Sequence, residues 1–254
     1  TDDGDLLLIV NGNDGTMAAY SIHRSQKVVA PSEFITDGTY EDCAVDIDDI
    51  YVVVKRTINS STKHYIERLD DDRTTDASFQ LFDGSADGNK PTSTTVSGLT
   101  HLEGKTVECV RDDIFLGEKT VSSGQITIDQ VPTTYVEIGL HHDVLAKTLP
   151  AEPRLASGTM VGRKKRIVAV SPVLNQTQNI AINGNEVSLK QFPYTLDSSE
   201  TLFTGRKRVT PLLGYSEEAQ ISITQTKPLF FTLLSLEYSV CLLYTSPSPR
   251  DGSE

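Results

Sequence analysis

Short strand-forming runs, without any helical period, are the feature of this sequence that most limits its fold. Runs rich in β-branched and aromatic residues are bounded by Gly, Asn, Asp and Pro, and apolar residues do not recur at helical spacing. Asn183-Gly184 between two such runs is the strongest hairpin signal, because a type I′ turn needs positive φ at both central residues. We therefore predict an all-β fold.

Charge and cysteine usage exclude several classes of protein. The chain has 23 Lys and Arg against 35 Asp and Glu, a formal charge of -12, so as a whole it repels phosphate backbones and anionic membranes. Cys43, Cys109 and Cys241 are odd in number and widely separated, so we expect reduced thiols rather than a zinc or redox site. Residues 229–244 are fairly apolar, but Glu237 interrupts them and they are too short for a membrane span.

Composition shifts divide the chain into three predicted β units. Residues 1–72 read as a meander of hairpins, about one blade of a β-propeller, and we expect the remnant of a propeller there. Residues 73–92 are rich in Asp, Gly, Ser and Asn and are predicted to be a linker. A small β-barrel or sandwich is predicted over 93–150, and a further β-rich unit over 154–240, after Pro150 and Pro153.

Both ends of the sequence carry expectations of their own. Thr1 is not an initiator Met and no signal peptide follows, so we expect an upstream portion of the natural protein. Residues 241–254 (CLLYTSPSPRDGSE) contain a stretch similar to one reading frame of a sequencing adaptor, as found where assembled environmental reads run into library DNA. We expect this tail to pack on nothing and to carry no function; the alternative is a natural disordered tail.

Eleven stretches, taken in order over residues 1–240, resemble the tail tubular protein B, or nozzle, family of short-tailed bacteriophages. They are 14–20 (DGTMAAY), 26–30 (QKVVA), 37–38 (DG), 49–56 (DIYVVVKR), 65–69 (YIERL), 98–104 (GLTHLEG), 136–140 (VEIGL), 162–167 (GRKKRI), 202–205 (LFTG), 228–229 (PL) and 233–236 (LLSL). Two positions depart from similar proteins, which often carry Trp in place of Pro31 and Pro in place of Phe230.

The resemblance implies a structural virion protein that is assembled in the host cytoplasm. Such a protein forms a homo-oligomeric ring, commonly a hexamer, at the distal end of the tail, contacts other tail proteins such as the adaptor ring and fibres, and lets DNA pass transiently. The resemblance implies no catalysis and no cofactor. Two alternatives stay open, a host-surface or glycan-binding β-propeller module and a glycan-cleaving tail enzyme, and the absence of Trp weighs against glycan binding.

Two basic clusters are the most unusual feature of this acidic chain, and they are our candidate contact sites. One consists of Arg163, Lys164, Lys165 and Arg166, and the other of Arg206, Lys207 and Arg208. They can face DNA in a channel, pair with acidic surfaces of a neighbouring subunit, or simply keep strand ends soluble. The sequence leaves these three roles open.

Other constellations favour no catalytic or metal site. In His141-His142-Asp143 adjacent strand residues point to opposite faces, so the two imidazoles are expected to diverge. Residues 83–88 (DGSADG) match half a calcium loop, but Thr94 stands where the bidentate carboxylate belongs, which favours a solvated turn. No pair of carboxylates is singled out, and the nucleophile-elbow and nucleotide-loop motifs are missing. We therefore predict no enzyme, metal or cofactor.

Overall fold

The computed structural model describes residues 4–47, 49–152, 162–190, 201–210 and 214–243. Within these ranges the all-β prediction is confirmed, since the single helical element is a short 3-10 turn at Thr100–Leu102. No helix in the described part of the chain is long and apolar enough to cross a membrane. The chain divides into two compact units, Thr1–Asp143 and Val144–Glu254. The finer division at 73–92 and 150–154 stays a prediction.

Two three-stranded antiparallel sheets open the first unit. They are formed by β1 (Gly4–Val10), β2 (Met17–His23) and β3 (Val28–Phe34), then by β4 (Thr39–Asp46), β5 (Asp49–Ile58) and β6 (Ser61–Arg68), each in sequential order. Buried Met17, Tyr40, Val52 and Val54 form the core that they share.

This pair of meanders occupies the segment where a single propeller blade was expected. The chain begins the second sheet at Gly38, whose φ is +148° and where a Cβ would lie 2.4 Å from the carbonyl oxygen of Lys55. Only glycine allows such a close passage, so the sheet changes there and the meander is split. Membership of a larger propeller stays a prediction.

The rest of the first unit is a four-stranded sheet and a two-stranded sheet. Its strands are β7 (Asp76–Phe82), β8 (Thr95–Ser97), β9 (Thr106–Arg111), β10 (Ile114–Thr120), β11 (Gln125–Thr127) and β12 (Tyr135–Leu140). The sheet order is β10-β9-β12-β7, with β8 paired to β11. The described strands close no barrel, because β10 and β7 remain at the two edges.

Strand β7 lies inside the segment predicted to be a linker. It pairs antiparallel with β12, and its Leu81 and Phe79 join the apolar core of this sheet. The polar residues around β7 hide its short apolar pattern in the sequence. Gly139 on β12 lets the chain before β7 come close, since a Cβ there would lie 2.2 Å from Oγ1 of Thr75.

The second unit begins with a strand ahead of the predicted boundary at Pro150. Its strands are β13 (Leu145–Lys147), β14 (Lys165–Thr177), β15 (Ala181–Ile182), β16 (Asn185–Glu186), β17 (Phe203–Arg206), β18 (Ser222–Thr224) and β19 (Leu233–Leu242). They form sheets of order β13-β18-β15-β16 and β17-β14-β19. The Asn183-Gly184 turn joins β15 to β16 with φ of +49° and +76°, which confirms the type I′ prediction.

Strand β19 runs into the segment that resembles an adaptor. Cys241 pairs with Arg166 and Leu242 with Lys165 on β14, and the N–H of Leu243 donates to the carbonyl oxygen of Lys164 at 3.1 Å. The expectation that the tail packs on nothing therefore fails for these three residues. A ladder needs only backbone donors and acceptors, which most side chains permit. Residues 244–254 lie outside the described residues.

Candidate functional site

The first basic cluster is divided by the pleat of β14. Arg163 and Lys164 are exposed before the strand, whereas Lys165 is fully buried and its Nζ donates to the carbonyl oxygen of Ala151 at 2.9 Å. Arg166 is half-buried, and its Nε has no partner among the described residues. Lys165 thus belongs to the interior of the second unit, and only its neighbours can meet a partner.

The second basic cluster lies along the same strand. Arg206 of β17 pairs with Val173, and Val209 forms a bridge with Val170, so the second cluster lies beside β14, the strand that contains Lys165 and Arg166. Arg206 also forms an ion pair that crosses β14 to Glu237 of β19. Arg208 is exposed. Arg206 lies opposite Val173, so at about 3.3 Å per residue it is roughly 23 Å along β14 from Arg166.

A cleft of about 520 Å³ opens in the first unit. The rings of Phe34, Tyr40 and Tyr65 contribute to its lining together with apolar side chains. Its charged lining residues are Glu67, Arg68, Asp70, Arg73, Asp76 and Asp87. Nothing in the sequence analysis pointed to this place.

Buried Arg56 is the hub beside the cleft, with 1% of its side chain exposed. Its Nε and Nη2 donate to the two carboxylate oxygens of Glu67 at 3.0 and 2.8 Å. Its Nη1 and Nη2 donate to Asp76 at 3.1 and 3.0 Å, and Nη1 also reaches the carbonyl oxygen of Asp37 at 2.9 Å. One guanidinium thus joins β5, β6, β7 and the turn before β4.

The electrostatics of this hub follow from burial and pairing. Burial opposes the charge of Arg56, but the hydrogen bonds and charges of Glu67 and Asp76 outweigh it and raise the pKa of the guanidinium. Burial, and then the negative charge of Asp76, raises the pKa of Tyr40 to about 12. The hub is therefore permanently ionised and its neighbouring phenol stays neutral at physiological pH.

A second arginine, Arg73, forms ion pairs with two carboxylates that line the cleft. Arg73 Nη1 donates to Asp87 at 2.7 Å, and its Nε lies 3.5 Å from Asp70, which also accepts from Arg68 at 2.9 Å. Asp87 belongs to residues 83–88, the segment that matches half a calcium loop in sequence. It also accepts a hydrogen bond from the N–H of Gln80 at 2.9 Å. The described residues contain no cluster of His, Cys, Asp or Glu suited to a metal ion.

The two adjacent histidines after β12, His141 and His142, lie in different environments. His141 Nδ1 lies 3.0 Å from Glu108 and Nε2 lies 3.1 Å from Asp143, and the bond to Glu108 is the main reason that the pKa of His141 is raised. His142 instead lines the cleft. The pair thus diverges, as strand alternation predicts.

The sequence did hold one signal for the cleft. Arg56 stands in phase with Val52, Val54 and Ile58, which are all buried, so a charged residue occupies an inward position of a strand. A buried arginine requires anionic partners, but the identity of Glu67 and Asp76 as those partners depends on strand pairing and on the later strand β7.

A scan of protein-family models and a search of curated proteins both find no match to this chain.

Proposed function

We propose that this chain is a structural component of a bacteriophage tail, of the nozzle type, that acts by assembling into a ring rather than by catalysis. The resemblance over residues 1–240 supports the family, and the all-β fold agrees with it. The observation that carries the assembly role is an uncovered apolar sheet face in the first unit.

That face is the outer side of the β1-β2-β3 sheet. The register aligns Leu7 with Tyr20 and Pro31 across the three strands, so these side chains share one face. The same face carries seven apolar residues, namely Leu7, Ile9, Ala18, Tyr20, Ile22, Val29 and Pro31, with Asp5 and Glu33 at opposite corners. Leu7 is 50%, Ile9 48% and Val29 61% exposed.

The inner face of this sheet is covered at one end, while Leu6 (52%) and Val28 (41%) at its other end are exposed. Leu8, Val10 and Phe34 on that side pack against the core shared with the β4-β5-β6 sheet. A contiguous apolar surface on the other side is typical of a contact with another protein rather than with water. We assign the outer face to subunit contact in the tail.

The exposed basic residues suit the same role. Arg163, Lys164 and Arg208 are exposed in a chain of net charge -12, so an acidic surface of a neighbouring subunit attracts them. Few such contacts hold DNA at physiological salt, which agrees with transient passage of DNA. Lys165 is buried and takes no part.

Sedimentation velocity of the 254-residue chain tests the apolar contact. We expect the unmodified chain to self-associate at protein concentrations up to about 100 µM. The double variant Leu7→Thr/Val29→Thr should shift clearly towards monomer, because threonine removes apolar area but keeps strand propensity. Val45→Thr/Ile66→Thr is the matched control, since both residues are exposed in the β4-β5-β6 sheet. A monomeric parent chain, or an equal loss in the control, would contradict the proposal.

The basic contact is tested separately by Arg163→Ser/Lys164→Ser. Surface ion pairs contribute up to about 1 kcal/mol each, so we expect the association constant to fall by roughly two- to tenfold, with weaker dependence on salt. The variant keeps Lys165 and Arg166 and should unfold at the parent temperature. Unchanged association would assign these residues to DNA or to solvent instead.

A further inference from the structure

The carboxylates of the cleft are held in place and still reach solvent. Glu67 and Asp76 are fixed by Arg56, and Asp70 and Asp87 by Arg73. Their side chains keep between 13% and 28% exposure. A carboxylate offers about four lone-pair sites, so Glu67, Asp70 and Asp87 keep acceptor capacity for a ligand. Asp76 does not, because it already accepts from Thr36, Asp37, Arg56 and Ala77.

Charge compensation limits what that ligand can be. Four carboxylates face three guanidinium groups, those of Arg56, Arg68 and Arg73, so the cleft is close to neutral with a slight acidic excess. A phosphate or another anion would have to displace a carboxylate from its arginine, which is costly in a partly buried site. A metal ion is equally disfavoured, because the carboxylates already serve arginines.

A neutral ligand rich in hydroxyl groups meets these conditions. Its hydroxyls can donate to the carboxylates of Glu67, Asp70 and Asp87 and accept from the guanidinium groups of Arg68 and Arg73. The half-buried aromatic residues Phe34 and Tyr65 offer apolar surface to its C–H faces. The cleft volume of about 520 Å³ falls within the range of small-molecule sites. We infer that this cleft binds a neutral saccharide, with its aromatic contacts supplied by Phe and Tyr in a chain without Trp.

The same geometry opposes cleavage of that saccharide. Glycoside hydrolysis needs one protonated carboxylic acid beside one carboxylate. Every carboxylate oxygen of the most firmly held pair, Glu67 and Asp76, accepts a hydrogen bond from Arg56, so neither side chain is placed to give a proton to a glycosidic oxygen. The cleft therefore holds a sugar without acting on it, and this inference does not depend on the tail function.

Saturation-transfer NMR on the full chain tests the site directly. The probes are lactose, cellotriose and tri-N-acetylchitotriose at about 10 mM, roughly ten times a 1 mM dissociation constant, with sialyllactose as the anionic comparison. We expect transfer to at least one neutral probe, weaker transfer to sialyllactose, and no released monosaccharide after prolonged incubation. Absence of transfer to all three neutral probes overturns the inference, and so does stronger binding of sialyllactose.

A variant that blocks the cleft distinguishes binding in the cleft from unspecific binding elsewhere on the surface. Ala86 lines the cleft and is exposed in its loop, so Ala86→Trp should obstruct the space without disturbing the core and should weaken binding at least tenfold. Phe82→Trp is the matched control, because it places the same ring four positions earlier, outside the cleft lining. Retained binding in Ala86→Trp, with the fold intact by circular dichroism, overturns the assignment to this cleft.

Discussion

The two units satisfy the backbone N–H groups of their loops with different side chains. In the first unit most of these bonds are accepted by carboxylates, although Asn11, Asn89, Ser85 and Ser93 also accept backbone N–H groups. Glu137, 1% exposed, accepts from the N–H groups of Thr74 and Thr75 at 2.8 and 2.9 Å. Asp112 accepts from three successive N–H groups, those of Thr133, Thr134 and Tyr135, at 2.8, 2.6 and 3.1 Å.

In the second unit uncharged side chains accept the hydrogen bonds of loop N–H groups. Asn179 Oδ1 accepts from the N–H groups of Thr226 and Lys227 at 2.9 and 3.1 Å. Asn183 Oδ1 accepts from the N–H of Ser222 at 2.9 Å. Among the described residues of the second unit, the side chains that accept backbone N–H groups are uncharged.

This difference predicts how each unit responds to pH. Burial raises the pKa of Asp112, but the three backbone N–H bonds outweigh that effect and hold the pKa below its ordinary value. A carboxyl with a lowered folded pKa stabilises the fold above its unfolded pKa, and the contribution is lost as pH falls through the folded pKa. Amide side chains do not titrate in this range, so acid should weaken the first unit selectively.

The largest effect is expected for Arg56→Met in the first unit. The change leaves Glu67 and Asp76 without their buried counter-charge, and we expect a loss of about 3–5 kcal/mol in the free energy of unfolding. Hydrogen exchange followed by mass spectrometry should show deprotection of the first unit and little change in the second. Arg68→Met is the control, because Arg68 is half-exposed in its ion pairs and its loss should cost at most about 1 kcal/mol. Equal effects of the two changes would show that Arg56 is not a structural hub.

A smaller effect is expected for Glu137→Gln. Glutamine keeps one acceptor oxygen but loses the charge that strengthens the bonds to Thr74, Thr75 and the hydroxyl of Ser78, so we expect a loss of about 2–3 kcal/mol. Exchange should rise first in residues 74–80. If Glu137→Gln proved neutral, the charge of this anchor would be unimportant and the contrast between the units would lose its main support.

The smallest effects, about 1 kcal/mol at neutral pH, are expected when the two kinds of anchor are exchanged. Asp112→Asn should make the protection of the first unit depend less on pH between about pH 5 and 3. The reason is that the variant lacks the carboxyl whose stabilising contribution is lost as pH falls. Asn183→Asp should give the second unit a new acid sensitivity; the Nδ2 it removes has no acceptor among the described residues. Thermal unfolding from pH 7 to 3 measures both. Parallel pH profiles for parent and variants would refute the assignment.

The features of the fold that could be predicted depend on residues close together in the sequence. The Asn183-Gly184 turn, the absence of helix and most strands of the first unit follow from residues near each other in sequence. The strand within 73–92 was missed because its apolar pattern is short and its partner, β12, lies more than fifty residues later. The sequence predicts one basic cluster at 163–166, but the structure buries one of its members, Lys165.

Residue patterns along the chain were enough to predict the all-β class, the acidic net charge and the Asn183-Gly184 turn. Only the tertiary structure decided that Glu67 and Asp76 meet that arginine, that a cleft forms beside them, and that one face of the β1-β2-β3 sheet stays uncovered. The physical reason is that turn and strand preferences act over a few residues. Charge pairing and burial instead depend on which distant strands come together, and each segment taken alone leaves those contacts open.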